Sequence, residues 1–201
     1  MKERMLAGKL YIPEGADIIS DYKRAKRLTR LINSCTEEEE WKKDDLLRQL
    51  FGHIGQDFWI QQPFHCDYGN NIYIGDHFVA NYDCIIIDVC DVTIGDNVLL
   101  GPRVGLYTAA HPIDADVRDR RYEYGAPIVI GNSVWIGAHA IVNPGITIGD
   151  NVVIGSGSVV TRDIPSGVVA AGNPCRVLRT ITEEDHTYWL KQLEDAENYA
   201  K

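Results

Sequence analysis

The pair His111-Pro112, in the stretch Tyr-Thr-Ala-Ala-His-Pro, is the strongest chemical signal in the chain. Imidazole titrates near neutrality, so it can take a proton from a hydroxyl while the oxygen attacks an electrophilic carbon. Pro112 biases His111 towards extended backbone, and no packing pattern around it asks for an imidazole. The other histidines are weaker candidates. His53 and His186 fall in or beside helical patterns, His65 precedes Cys66, and His77 and His139 follow a Gly-x pair where other segments carry asparagine. A zinc site built from His77, His111 and His139 is the nearest rival chemistry. Against it, His77 and His139 are explained as turn residues, because histidine tolerates unusual turn backbone, so no metal is expected. Cys35, Cys66, Cys84, Cys90 and Cys175 form an odd set with no C-x-x-C pair, which predicts reduced thiols rather than disulfides or a zinc ribbon. Cys66, Cys84 and Cys90 are assigned to packing, so a covalent cysteine route is not expected.

These side chains must be positioned by a repeat. An aliphatic residue recurs at every sixth place in Ile130, Ile136, Val142, Ile148, Ile154 and Val160, and glycine follows four of them. The same phase appears earlier in Ile74-Gly75-Asp76-His77, Ile94-Gly95-Asp96-Asn97 and Leu100-Gly101-Pro102. A six-residue period suits neither a helical stripe nor a continuing strand. It suits a short strand followed by a corner, with the aliphatic residue inward and Gly, Asn, Asp or His at the turn. Three such units close a triangular coil of about eighteen residues, and coils stack at the ~4.8 Å strand spacing. Cys66 and Cys84, eighteen apart, are then expected to be neighbours in adjacent coils unless an insertion shifts the register.

The repeat is interrupted between Leu106 and Ile130 by a polar, charged, proline-bounded segment that holds His111, and a loop is expected to leave the prism over 107–127. Residues 1–58 read as a helical region. One helix carries Tyr22, Ala25, Leu28, Leu31 and Ile32, and a second starts at a Thr36/Glu39 capping box and carries Trp41, Leu46, Leu47 and Leu50. The β-helix is assigned to 59–180. A final helix over 181–201 is capped by Thr182 and Asp185 and carries Trp189, Leu190 and Leu193. Helices at both ends are expected to cover the open strand edges. The basic run Lys23, Arg24, Lys26, Arg27 and Arg30 is read as a solvated helix face. Composition is that of a folded globular chain of 201 residues with net charge −9, so neither nucleic acid nor a membrane is an expected partner. No stretch approaches the ~20 apolar residues of a membrane helix, and the start of the chain lacks a signal-like apolar region, which predicts a cytoplasmic protein.

The segments MLAGKLY at 5–11, CDYGNNIYIGDHF at 66–78, ANYDCIIIDVCDVTIGDNV at 80–98, LYTAAHPID at 106–114, the repeat at 128–165 and AAGNPCRVLR at 170–179 together resemble the maltose and galactoside O-acetyltransferases. These are hexapeptide-repeat acyltransferases. The resemblance spans nearly the whole chain. It implies a mainly β protein built on a left-handed parallel β-helix, and a homotrimer with its sites between subunits. It implies acetyl-CoA as co-substrate and a small sugar-like acceptor. Carried over by position, it makes His111 the general base and puts Asn81 at the reacting centre, where an amide can stabilise an oxyanion. Asp67 and Glu123 match acceptor-binding positions. Trp135, Ala138, Ser156, Thr161, Arg162, Arg176 and Arg179 match the cofactor side, the arginines supplying local positive charge for phosphates. Two acidic acceptor contacts expected in the galactoside branch fall instead at Pro13 and Val89, which brings the chain nearer the maltose branch. A hydroxyl acceptor that is not a sugar, including a xenobiotic, is the alternative substrate class, and a γ-type carbonic anhydrase-like zinc hydrolase or a non-catalytic scaffold are the alternative functions.

Overall fold

The hexads form the three faces of a prism in the computed structural model, which describes residues 1–199. The first face stacks His53–Ile54, Ile72–Ile74, Val92–Ile94, Ile128–Ile130 and Thr147–Ile148. The second stacks Trp59–Ile60, Val79–Ala80, Leu99–Leu100, Trp135–Ile136, Val153–Ile154 and Val168–Ala171, and the antiparallel strand Arg176–Thr180 adds to its far edge. The third stacks Phe64–Cys66, Cys84–Ile87, Gly105–Tyr107, Ile141–Val142 and Val159–Val160. All pairings between coils are parallel. Each of the six hexad residues from Ile130 to Val160 is buried, so apolar burial at ~1.5–3 kcal/mol per aliphatic side chain holds the prism together from inside.

The corners explain the polar half of each hexad. Asp57, His77, Asn97, Ser133 and Asn151 stack along the first corner with φ between 53° and 58°, and Asp83, Arg103 and His139 stack along the second at 59° or 60°. His77 and His139 are therefore left-handed turn residues, as their place in the hexad predicts. Along the first corner one side chain from each coil holds the backbone of its neighbour. Asp76 accepts from the N–H of Gln56 (2.7 Å), Asp96 from Asp76 (2.8 Å), Asn132 from Asp96 (2.9 Å) and Asp150 from Asn132 (2.6 Å).

Coil length is not constant, and this corrects the expected cysteine pair. Before the interruption, partners in adjacent coils are twenty residues apart, as in Phe64 with Cys84 and Cys66 with Ile86. After it they are eighteen apart, as in Trp135 with Val153, and in the last coil sixteen, as in Val153 with Val169. Cys66 and Cys84 are thus not opposite one another. The two additional residues lie at the third corner, where eight residues separate Cys66 from Ile74 and Ile86 from Ile94.

Helices α1 (Lys2–Leu6), α2 (Ala16–Asn33) and α3 (Glu40–Leu50) precede the prism. A 3₁₀ turn over Glu37–Glu39 leads into α3, and Thr36 N–H donates to Glu39 Oε2 (3.1 Å) as the capping box predicts. Ala25, Leu28 and Ile32 of α2 and Leu46, Leu47 and Leu50 of α3 are buried, whereas Tyr22, Leu31 and Trp41 are exposed. Two members of the basic run are only partly solvated. Arg24 bonds Gln49 O, Leu50 O and Asn70 Oδ1, and Lys26 bonds Cys66 O (2.9 Å) and Asp67 (3.3 Å). The open edge of the third face is closed by Asn33, whose amide donates to Phe64 O and accepts from Phe64 N, both at 2.9 Å. Removing it strands a strand-edge donor and acceptor, so Asn33→Ala should lower stability by about 1–3 kcal/mol in thermal unfolding, whereas Asn33→Asp keeps one of the two bonds.

At the far end, α5 (Glu183–Tyr199) starts at the expected cap, with Thr182 N–H donating to Asp185 (2.9 Å). None of its side chains is buried, and Trp189, Leu190 and Leu193 are exposed, so within one chain it does not cover the prism end as expected. The edge of the second face is taken by Arg176–Thr180 instead. Among the described residues, no helix is long and apolar enough to cross a membrane.

Candidate active site

The enlarged third corner is where the site forms. The turns 67–71 and 87–91 lie one above the other, and the ejected segment leaves from the same corner one coil further on. That segment is not structureless. Ala109–Ala110 pairs antiparallel with Tyr124–Gly125, and α4 (Ala115–Arg118) crosses its tip, with Asp114 accepting from Val117 N–H (3.0 Å). The hairpin ends at His111. Arg118 donates to the carbonyls of Pro112 and Ile113, both at 2.9 Å, which fastens the backbone immediately after the imidazole. On the other side, the N-terminal segment forms a backbone bridge in which Tyr11 and Glu123 exchange N–H···O bonds of 2.9 and 3.0 Å.

Between α2, the third corner and this loop lies a cavity of about 470 Å³. His111, Asp67 and Glu123 line it together, with Tyr22, Tyr68 and Val89 among the remaining walls. Two carboxylates can accept bonds from hydroxyl groups, an imidazole can take a proton, and the aromatic faces can pack on the C–H surface of a small polar molecule. Lys26 beside Asp67 supplies a countercharge at 3.3 Å. Burial holds the Tyr68 hydroxyl above its ordinary pKa, reinforced by the nearby charges of Asp67 and Glu123, so it faces the cavity as a neutral donor.

The remaining candidates stand elsewhere on the prism. Asn81 begins the second corner, stacked in one column with Gly101, Gly137 and Gly155, and Ala138 and Ser156 follow in that column. The column is tight: a Cβ on Gly137 would meet Ser156 N at 2.6 Å. The Asn81 side chain accepts from Tyr82 N–H (2.8 Å), which leaves its amide N–H₂ free to donate. Trp135 projects outward from the second face and is 53% exposed. Thr161 and Arg162 leave the third corner two coils beyond the loop, and Arg176 and Arg179 lie on the terminal antiparallel strand. Arg179 is held in a two-pronged pair with Asp185 at 2.6 and 2.9 Å, so Arg162 and Arg176 are the freer cations. One chain therefore brings His111, Asp67 and Glu123 together and holds Asn81, Ala138 and Ser156 on a different corner. His77, His111 and His139 stand on three different corners, so a single chain does not assemble them as a triad.

Known proteins match both parts of the chain. Residues 4–55 fit the maltose acetyltransferase hexapeptide capping motif, and residues 127–162 fit the bacterial transferase hexapeptide repeats. The galactoside O-acetyltransferase of Escherichia coli K12 is 45% identical over 191 residues, 95% of this chain and 94% of that one. The chain belongs to the maltose and galactoside O-acetyltransferase family. A crystal structure of a maltose O-acetyltransferase from Clostridium difficile 630 superposes with a TM-score of 0.89 at 55% identity, covering 90% of this chain and 97% of that one. A galactoside acetyltransferase in complex with coenzyme A superposes with a TM-score of 0.90 at 45% identity, covering 92% and 93%. The prism is accordingly the left-handed hexapeptide-repeat β-helix of that family.

Several residues of this acetyltransferase-family site escape sequence reasoning. Tyr68, Ile87 and the α2 residues Ile18, Ile19 and Tyr22 line the cavity, yet they read as turn, strand or helix-core positions. Arg118 and Tyr11, which hold the loop, give no periodic signal at all. One signal was present: the eight-residue step at 66–74 and again at 86–94, where six is the rule, marks the corner that widens into the cavity.

Proposed function

We propose that the chain transfers an acetyl group from acetyl-CoA to a hydroxyl of a small sugar, with His111 as general base. The observation that carries this reading is the meeting of His111 with Asp67 and Glu123 in one cavity of sugar size. In the reaction, the acceptor hydroxyl gives its proton to His111 as its oxygen bonds to the thioester carbonyl carbon. Collapse of the tetrahedral intermediate then breaks the C–S bond, and the proton passes to the departing thiolate. Asp67 and Glu123 orient the acceptor, and the amide of Asn81 donates to the developing oxyanion. Trp135, Ala138, Ser156, Thr161, Arg162, Arg176 and Arg179 form the donor side, where the arginines offset the repulsion a polyphosphate meets from a chain of net charge −9.

The separation of Asn81 from His111 within one chain supports a trimer in which each site is shared by two subunits. A second feature supports it: Trp59, Val79, Leu99, Trp135, Val153 and Val169 form an apolar ladder on the outer side of the second face. Three of them are at least 40% exposed in the single chain, a patch of the kind that subunit contact covers. For the acceptor, Pro13 and Val89 put apolar wall where the galactoside branch is expected to have acids, which favours a glucosyl or maltosyl sugar. Five free, buried cysteines suit the reducing cytoplasm.

The test is transfer of labelled acetyl from acetyl-CoA to maltose, glucose and methyl β-galactoside. Maltose and glucose are expected to be acetylated with higher kcat/KM than the galactoside. The reverse order would overturn the acceptor assignment, and no transfer to any sugar would overturn the sugar reading itself.

A further inference from the structure

Beneath the cavity lies a buried acid that takes no part in the reaction just described. Asp88 is fully buried and sits in the upper of the two widened turns, between Ile87 and Val89, both of which reach the cavity while Asp88 does not. Its Oδ1 accepts from the N–H of Asp67 (3.0 Å) and of Tyr68 (2.9 Å) in the turn below. Its own carbonyl accepts from the side chain of Asn71 (2.6 Å), at the other end of that lower turn. One residue therefore ties both ends of the turn that carries Asp67 and Tyr68, and no other side chain among the described residues bonds those two N–H groups. Its second oxygen, Oδ2, is buried with no hydrogen-bond partner among the described residues.

We infer that Asp88 is the positioning residue of the acceptor pocket: its carboxyl fixes the backbone from which Asp67 and Tyr68 meet the acceptor, and its protonation state tunes acceptor binding. The inference rests on the reading of the cavity as the acceptor site. An unpartnered buried oxygen is costly as half of a carboxylate and much less so as the hydroxyl of a neutral acid. Burial accordingly pushes the Asp88 carboxyl up to about 7, against the pull of the backbone N–H groups of Asp67, Tyr68 and Gly69. The titratable groups facing it are Asp67 and Tyr68 on the lower turn and Cys66 at the end of the strand that leads into it. The Asp67 charge raises it further, and Lys26 of α2 spends its charge on Asp67 instead of Asp88. As pH rises through neutrality Asp88 gains a negative charge behind Asp67. The two stacked turns then carry like charges on Asp67 and Asp88, and acceptor affinity falls.

The experiment compares Asp88→Ala, Asp88→Asn and Asp67→Ala in the full chain, with acetyl-CoA as donor and maltose as acceptor, or the fastest sugar of the panel if maltose is poor. Asp88→Ala strands two N–H groups and is expected to raise the acceptor KM about tenfold or more, with the acetyl-CoA KM unchanged and kcat within about threefold. Asp88→Asn keeps an oxygen for both N–H groups and cannot ionise. Its acceptor KM should match that of the wild type at pH 6, and its kcat/KM for acceptor should lack the ionisation near pH 7 expected of Asp88 in the wild type. An unchanged acceptor KM in a folded Asp88→Ala protein overturns the inference. So does an Asp88→Asn pH profile identical to that of the wild type, and this arm decides if the alanine variant fails to fold. If Asp67→Ala also leaves the acceptor KM unchanged, the acceptor-site reading has failed. If Asp67→Ala raises it while Asp88→Ala does not, only the role of Asp88 is lost.

Discussion

Replacing His111 with alanine is expected to lower kcat about 10²- to 10⁴-fold while leaving the fold and CoA binding intact. The fold should survive because His111 is exposed and makes no side-chain hydrogen bond among the described residues; the backbone after it is held by Arg118 and the hairpin before it by its own ladder. The chemistry should suffer because an alcohol is a poor nucleophile until its proton can leave, and among the described residues no other imidazole lines the cavity. Steady-state kinetics with calorimetric measurement of CoA binding separate the two effects. A variant that binds CoA and turns over at the wild-type rate would exclude His111 as base.

The second large effect concerns Asn81, and it tests assembly as well as chemistry. Asn81→Ala should lower kcat about 10²- to 10³-fold, the cost of removing one oxyanion donor. Because Asn81 and His111 stand on different corners of the same prism, a site shared between subunits takes one from each. Unfolding the two inactive variants together and refolding them as a random mixture then regenerates intact sites wherever an Asn81→Ala subunit contributes its histidine to a His111→Ala neighbour. In a cyclic trimer this restores roughly a quarter of wild-type turnover. Activity that stays at the level of the separate variants would mean that both residues act within one chain, or that Asn81 has no role in the step.

The hexad order, the inward hexad residues and the turn roles of His77 and His139 all follow from local rules: an aliphatic residue must be buried, and a left-handed corner needs a residue that tolerates it. Such rules act over a few residues, so they can be read directly along the chain. The same holds for the capping boxes at Thr36 and Thr182, whose partners lie three residues away. His111 stood out because it breaks that local logic.

Long-range register is different. Whether a coil has eighteen or twenty residues changes which residues face each other without altering the hexad phase, and Cys66 lies opposite Ile86 for that reason. The cavity walls, the bridge between Tyr11 and Glu123, and the bond between Asp88 and the turn of Asp67 each join segments separated by twenty residues or more. Tyr22 and Leu31 carry a helical apolar period yet are exposed, because only one side of α2 meets the prism. Periodicity along the chain decided what each residue is suited to do. Stacking of the coils, through the distance at which the backbone returns to itself, decided which residues meet.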